Sequence, residues 1–154
     1  MSPAYKLEFM AKRGLRRSTT EESRTIERFR PRYGRRGIEA ERARERAGIG
    51  ANLDVNGYTT LTQTRDLGRQ LDLATGKRLL DIGCGWGHPG LYLARTTGCS
   101  VVGNDLPIAS LRAAVRRAAR ERISRRAGFI AASAVHLPFQ PQSFDAIVHT
   151  DVLC

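Results

Sequence analysis

The sequence feature that most constrains the fold is a glycine-rich stretch directly after a short apolar run. Four glycines fall within eight residues: Gly83, Gly85, Gly87 and Gly90. The run at residues 78–82 has the length and composition of a strand that is buried on both faces. Because glycine permits positive φ and close approach to a ligand, the stretch predicts a strand-to-helix turn. Residues 89–94 then predict a helix, so the turn faces a helix N-terminus with free N–H groups, as in nucleotide-binding sites.

Two ligand classes are compatible with this turn. Residues 85–90 fit Gly-x-Gly-x-x-Gly, the dinucleotide fingerprint. Asp81 stands two residues before the first glycine, where its carboxylate would repel a pyrophosphate in a partly dry site. The same carboxylate would attract an ammonium group. The charge of Asp81 therefore favours a ligand with a cationic end, and an NAD(P)-binding oxidoreductase domain is the alternative.

Residues 81–87, Asp-Ile-Gly-Cys-Gly-Trp-Gly, resemble the acid-x-Gly-x-Gly-x-Gly signature of class I S-adenosylmethionine-dependent methyltransferases. The resemblance implies an enzyme with a Rossmann-like α/β fold and S-adenosyl-L-methionine as its cofactor. It also implies that Asp81 holds the ammonium end of the methionine moiety. The residues that would surround the rest of that moiety and the ribose are Gly83, Cys84, Gly85 and Gly87. No metal site is expected.

A second strand is predicted at residues 100–104, and it ends at Asp105. An acid in this position, about 20 residues beyond the turn, accepts hydrogen bonds from ribose hydroxyls. A dinucleotide would need the same acid, so Asp105 does not separate the two ligand classes. The alternative role for Asp105 is an N-terminal cap of the next helix, because Pro107 follows. Leu106 is expected to cover one face of the adenine.

A second pattern of the family is matched at residues 133–148. Leu-Pro-Phe at 137–139 and Ser-Phe-Asp at 143–145 precede an apolar run. The resemblance implies that Ser133 and Ala134 lie around the adenine, with Ser133 where the family often has an aspartate. His149 and Asp151 follow the fourth strand and are the candidate catalytic residues, with His149 as a general base.

Two helices are expected to frame this site. Thr59 or Thr60 is predicted to cap the helix before the first strand. Tyr58 is expected to be a packing aromatic, and the alternative is that it lies over the methionine end of the cofactor. Residues 107–123 predict an amphipathic helix. Its expected inward positions are Ile108, Leu111, Val115, Ala118 and Ala119, and its expected outward positions are Arg112, Arg116 and Arg120.

The pattern predicts an incomplete, doubly wound parallel sheet. Four strands are expected, at residues 78–82, 100–104, 128–132 and 144–149, whereas the family's sheet continues further. We therefore expect a fragment with two parts: a basic, partly helical or disordered arm at 1–47, and the N-terminal half of a cofactor-binding domain at 48–154. Whether such a chain is active alone, or is an inactive fragment, is left open.

Charge and composition bear on partners and location. Residues 1–47 hold 14 of the 26 basic and 7 of the 15 acidic residues, in a chain of net charge +11. This surplus keeps a non-catalytic nucleic-acid-binding module as an alternative. The sequence contains no nucleic-acid-binding motif, so we interpret the arginine-rich surface as solvated. For the same reason, we favour a small molecule as the methyl acceptor. No membrane span or secretory signal is recognised, and Cys84, Cys99 and Cys154 lack metal spacing, so a reducing cytoplasm is expected.

Overall fold

The computed structural model describes residues 19–34, 39–50 and 57–151. Cys154 and parts of the basic arm lie outside these ranges. The helices are α1 (Thr20–Gly34), α2 (Glu39–Ile49), α3 (Leu61–Gln70), α4 (Gly90–Thr97) and α5 (Ile108–Arg120). The strands are β1 (Arg78–Ile82), β2 (Ser100–Asp105), β3 (Ala127–Ala131) and β4 (Ala146–His149).

The four strands form one parallel sheet in the order β3-β2-β1-β4. Strand β1 is central because its near-continuous apolar run suits a position between two neighbours. After β3 the chain crosses back to the other side of β1, so the direction of winding reverses between β1 and β4. In open α/β sheets the carboxyl ends of strands at such a reversal form the ligand-binding edge. The predicted Rossmann-like sheet is confirmed.

The core lies between one face of the sheet and helices α4 and α5. Its buried side chains come from both layers: Leu79, Val101 and Val148 from the strands, and Leu91, Leu93 and Ala118 from the helices. Each fully buried leucine contributes roughly 1.5–3 kcal/mol through removal of its surface from water. Among the described residues, no helix has the length and hydropathy to cross a bilayer.

Helix α5 is amphipathic as predicted, but its inward face differs from the expectation. Ile108 is 44% exposed and Ala119 is exposed, whereas Arg117 is only 3% exposed. Ala113 and Ala114, one turn earlier on the helix, are buried as well. The Nε of Arg117 donates a hydrogen bond of 2.6 Å to Glu121 Oε1, which neutralises the buried charge. Because arginine is normally a surface residue, the periodic pattern does not identify this buried position.

The predicted outward row of α5 is confirmed. Arg112, Arg116 and Arg120 are all exposed. Helices α1 and α2 fall mostly within the stretch expected to be a partly helical arm, and the division into arm and domain stays a prediction.

Candidate functional site

The turn between β1 and α4 depends on glycine at three alternate positions. Gly83, Gly85 and Gly87 have φ values of 68°, 54° and 91°, which side-chain-bearing residues rarely adopt. At Gly87 a Cβ would also lie 2.4 Å from Leu91 Cδ1. The Gly87 N–H donates to the Cys84 carbonyl at 2.7 Å and closes the turn. Because buried Cys84 packs against β2 at Gly103, it holds the turn on the sheet.

Asp81 lies beneath this turn, near the carboxyl end of β1, and is 1% exposed. Its Oδ2 accepts a hydrogen bond of 2.9 Å from the N–H of Gly90, the first residue of α4. Burial raises the pKa of Asp81 to about 7; the Gly90 N–H opposes the rise, and the nearby Asp105 adds to it. A positive ligand group would stabilise the ionised carboxylate. Direct binding of a ligand by Asp81 stays a prediction.

The raised pKa of Asp81 predicts a pH-dependent difference in stability between wild type and Asp81→Asn. Between pH 4 and about 7 the folded state keeps a proton on Asp81 that the unfolded state releases. The wild type therefore loses stability, relative to Asp81→Asn, as pH rises through this window, and the difference levels off above it. We expect the difference to grow by roughly 2 kcal/mol between pH 5 and 7. Urea unfolding of both proteins across this range measures it, and a constant difference would contradict the prediction.

Asp105, the last residue of β2, joins three parts of the site. Its Oδ2 accepts hydrogen bonds from Gly85 N–H at 2.9 Å and from Ser110 Oγ at 3.0 Å. Its Oδ1 accepts from Leu106 N–H at 2.8 Å. Burial raises the pKa of Asp105, and these hydrogen bonds oppose the rise. The alternative role as N-terminal cap is wrong, because the capping position of α5 belongs to Pro107.

The three other residues predicted around the adenine follow the carboxyl ends of two neighbouring strands: Leu106 comes directly after β2, and Ser133 and Ala134 come shortly after β3. Leu106 and Ser133 are half-buried, and Ala134 is exposed in the turn after β3. Asn104, which the sequence analysis missed, ties β2 to that turn: its Nδ2 donates to the Ala132 carbonyl at 2.8 Å. An asparagine inside an apolar strand is the signal that identifies it, since a buried amide needs a partner.

Asp151 ties the end of β4 to the segment before α3, a role that the sequence analysis also missed. Its Oδ2 accepts hydrogen bonds from Tyr58 N–H at 2.7 Å, from Thr59 N–H at 3.2 Å and from Thr59 Oγ1 at 3.1 Å. The carbonyl of Thr59 in turn accepts from His88 Nε2 at 2.8 Å, in the glycine turn. The segment at Thr59 is therefore held from both β4 and the turn. Burial lowers the pKa of His88, which is consistent with a neutral ring that donates through Nε2.

We expect Asp151→Ala to destabilise the fold by about 1–2 kcal/mol. The change leaves the donors of Tyr58 and Thr59 without their acceptor, and alanine is disfavoured at the φ of 59° that residue 151 adopts. Asp151→Asn is the matched control, because asparagine keeps an acceptor oxygen and tolerates this conformation; we expect it to cost under about 1 kcal/mol. Chemical denaturation measures both, and equal losses would contradict this role of the carboxylate.

A groove opens between α3 and the carboxyl end of β4, with a volume of about 540 Å³. Six of its lining residues are Tyr58, Gln63, Asp66, Leu67, Gln70 and Asp151. Thr60 caps α3 through a reciprocal pair of hydrogen bonds with Gln63, as one of the two threonines was expected to do. The expectation of a packing aromatic is wrong: Tyr58 is 66% exposed, and Asp151 accepts a hydrogen bond from its backbone N–H. His149, the other catalytic candidate, is exposed on β4.

Comparison with known proteins gives a consistent result. The family model for the methyltransferase domain matches residues 79–154. Methyltransferase GfsG of Streptomyces halstedii is 40% identical over 84 residues, which are 54% of this chain and 30% of that protein. The 27-O-demethylrifamycin SV methyltransferase of Amycolatopsis mediterranei is 35% identical over 88 residues, which are 57% of this chain and 32% of that protein. The chain thus spans about a third of the length of these relatives.

A solved structure resembles this chain over part of its length. The S-adenosylmethionine-dependent methyltransferase of Thiobacillus denitrificans, in complex with S-adenosyl-L-homocysteine, superposes with a TM-score of 0.53 at 29% identity. The match covers 58% of this chain and 36% of that one.

Proposed function

We propose that the chain, whose residues 79–154 match the family model for the methyltransferase domain, binds S-adenosylmethionine and transfers its methyl group to a small-molecule acceptor. The hydrogen bond of 2.9 Å from Gly85 N–H to Asp105 carries the proposal. This hydrogen bond places the Asp105 carboxylate, at the carboxyl end of β2, next to the glycine turn at the ligand-binding edge of the sheet. A ribose and an amino-acid moiety require those two features side by side.

The chemistry of the remaining groups fits this cofactor. Asp81 offers an ammonium group a buried carboxylate, which would repel the pyrophosphate of a dinucleotide. Leu106 supplies an apolar surface for the adenine, and the hydroxyl of Ser133 supplies a neutral acceptor for its amino group. When bound, S-adenosylmethionine supplies a methyl group activated by the positive charge of the sulfonium.

The chain's own residues contribute mainly by positioning in this proposal. Asp151 and Thr59 fix the segment between the end of β4 and the glycine turn, which is the kind of positioning that methyl transfer requires. His149, at the end of β4, is the candidate proton acceptor and is open to solvent. A cytoplasmic location belongs to the same proposal.

A small-molecule acceptor is favoured by the named acceptor of one relative, 27-O-demethylrifamycin SV. The exposed row of Arg112, Arg116 and Arg120 supports nucleic-acid binding as the second candidate function. Binding through that row would depend steeply on salt and would not require cofactor.

Calorimetric titration of the full chain tests the cofactor assignment. We expect S-adenosyl-L-homocysteine to bind and NADH, titrated in parallel, to give no heat of binding. Binding of NADH alone would favour the oxidoreductase alternative. The absence of binding by both ligands would reject the proposal for this chain.

A further inference from the structure

We propose that Asn104 is a positioning residue for the adenine of S-adenosylmethionine, and that its buried amide makes cofactor binding depend on that base. This inference rests on the proposed function. Asn104 lies on β2, directly before Asp105, and is only 1% exposed, so its side chain is closed to a ligand. Its effect on a ligand therefore passes through the two turns to which it is hydrogen-bonded.

Asn104 joins the glycine turn to the turn after β3. Its backbone carbonyl accepts a hydrogen bond of 3.0 Å from Cys84 N–H, in the glycine turn. Its side-chain Nδ2 donates to the Ala132 carbonyl at 2.8 Å, and the Ala132 N–H donates to the Asp105 carbonyl at 3.2 Å. Ala132 is therefore held at both of its backbone polar groups. The next residue, Ser133, enters the proposed adenine contact from this fixed point.

The amide of Asn104 holds this position at a cost in stability. Because Ala132 presents a carbonyl, the NH₂ group of the amide must face it. The other amide atom, Oδ1, is buried and accepts no hydrogen bond from the described residues, which is unfavourable. The neighbours in register, Ile82 on β1 and Ile130 on β3, are apolar, so an apolar side chain would suit the position. Local rules of this kind are broken mainly at functional sites.

Asn104→Leu tests this role because it separates stability from ligand binding. Leucine has a similar shape, removes the unpartnered oxygen and matches the apolar neighbours Ile82 and Ile130. We expect the Tm of the variant to stay within about 3 °C of the wild type, since the lost hydrogen bond is offset by the removal of a buried unpaired acceptor. The turn at Ala132 loses its support, so we expect S-adenosyl-L-homocysteine to bind about tenfold more weakly.

Calorimetric titration of the full chain with two shorter ligands shows where the loss arises. 5′-Methylthioadenosine keeps the adenine, whereas S-ribosyl-L-homocysteine keeps the ribose and the amino acid but lacks the base. We expect Asn104→Leu to weaken the first about tenfold and the second less than about twofold, whereas a purely structural role would weaken both equally. Cys99→Ala is the matched control, because Cys99 is buried directly before β2, at the amino end of the sheet. This change should leave the ratio of the two affinities unaltered.

A measurement on the wild type keeps the inference testable if Asn104→Leu fails to fold. The side-chain amide signals of Asn104 are followed in the ¹⁵N-labelled full chain. Because adjacent hydrogen bonds polarise one another, we expect 5′-methylthioadenosine to shift these signals at least about twice as far as S-ribosyl-L-homocysteine does. Gln140 and Gln142, exposed in the loop between β3 and β4, are internal controls whose signals should not move.

The inference is overturned if Asn104→Leu weakens the two shorter ligands to the same extent or weakens neither. Equal shifts of the Asn104 signals by both ligands would overturn it as well. Titration of the wild type with S-adenosyl-L-homocysteine separates this failure from that of the proposed function. If this ligand binds and Asn104→Leu shows no loss specific to adenine, only the role of Asn104 is rejected. If none of the three ligands binds the wild type, the proposed function is rejected and this inference with it.

Discussion

Asp105→Ala is expected to weaken the binding of S-adenosyl-L-homocysteine at least roughly 100-fold. The ribose offers two hydroxyl donors, and a hydrogen bond to a charged group contributes about 1.5–3 kcal/mol. Asp105 also accepts from Gly85 N–H, so its loss releases the turn that would surround the ligand. Both effects reduce affinity. Calorimetric titration measures the loss directly.

Two controls separate ligand binding by Asp105 from its structural contacts. Ser110→Ala removes one hydrogen bond of 3.0 Å to the carboxylate and leaves Gly85 N–H and Leu106 N–H in place. We expect it to change affinity less than about threefold. Asp145→Ala removes an equal charge at the amino end of the sheet, where Asp145 accepts from Arg78 N–H, and should leave affinity unchanged. If Asp105→Ala binds as tightly as Asp145→Ala, Asp105 is not a ribose ligand.

Gly90→Ala should produce the largest loss of stability. An added Cβ would lie 2.5 Å from Asp81 Oδ2 and 3.0 Å from Val101 Cγ2. Both neighbours are buried on β1 and β2, so α4 must move away from the sheet to make room. Overpacking of this kind costs about 2–3 kcal/mol, which lowers Tm by roughly 5–10 °C in a chain of this size. Thermal and urea unfolding both measure the change.

Gly48→Ala is the matched control, because Gly48 is also helical but has no atom within 4 Å of the added Cβ. Alanine is the better helix former, so this change should stabilise by about 0.5–1 kcal/mol. If Gly90→Ala lowers the free energy of unfolding and Gly48→Ala raises it, the loss at Gly90 comes from the close approach of α4 to Asp81. If Gly90→Ala is neutral, α4 does not lie as closely against β1 as the structure places it.

The sheet and its ligand-binding edge could be predicted because the relevant signals are local. The apolar run before Gly83 marks a strand buried on both faces, and Asp105 ends the next strand, so both fall at one edge once the strands are parallel. The family resemblance then extended the prediction to the turn containing Ser133. These inferences need neighbouring residues and the geometry of a parallel sheet, and they are independent of how side chains far apart in the chain pack.

The contacts that the sequence analysis missed depend on tertiary neighbours. Arg117 is buried on the helix beside Ala113 and Ala114, and its charge is paired with Glu121 one turn away. The roles of Asp151 and His88 arise only when the segment at Thr59 reaches them. Nothing local marks these residues as partners, since each would be ordinary at a surface position.

The link between Asp151 and Thr59 spans 92 positions of the chain, and this has a consequence for biosynthesis. On the ribosome, the segment before α3 emerges long before β4. Helices and short-range turns can form early, but Tyr58 and Thr59 have no carboxylate partner until β4 has paired with β1. Closure of such long-range loops is late and slow. The contact between Asp151 and the segment at Thr59 is therefore among the last to form in folding, and until then a nascent chain presents the glycine turn without this support.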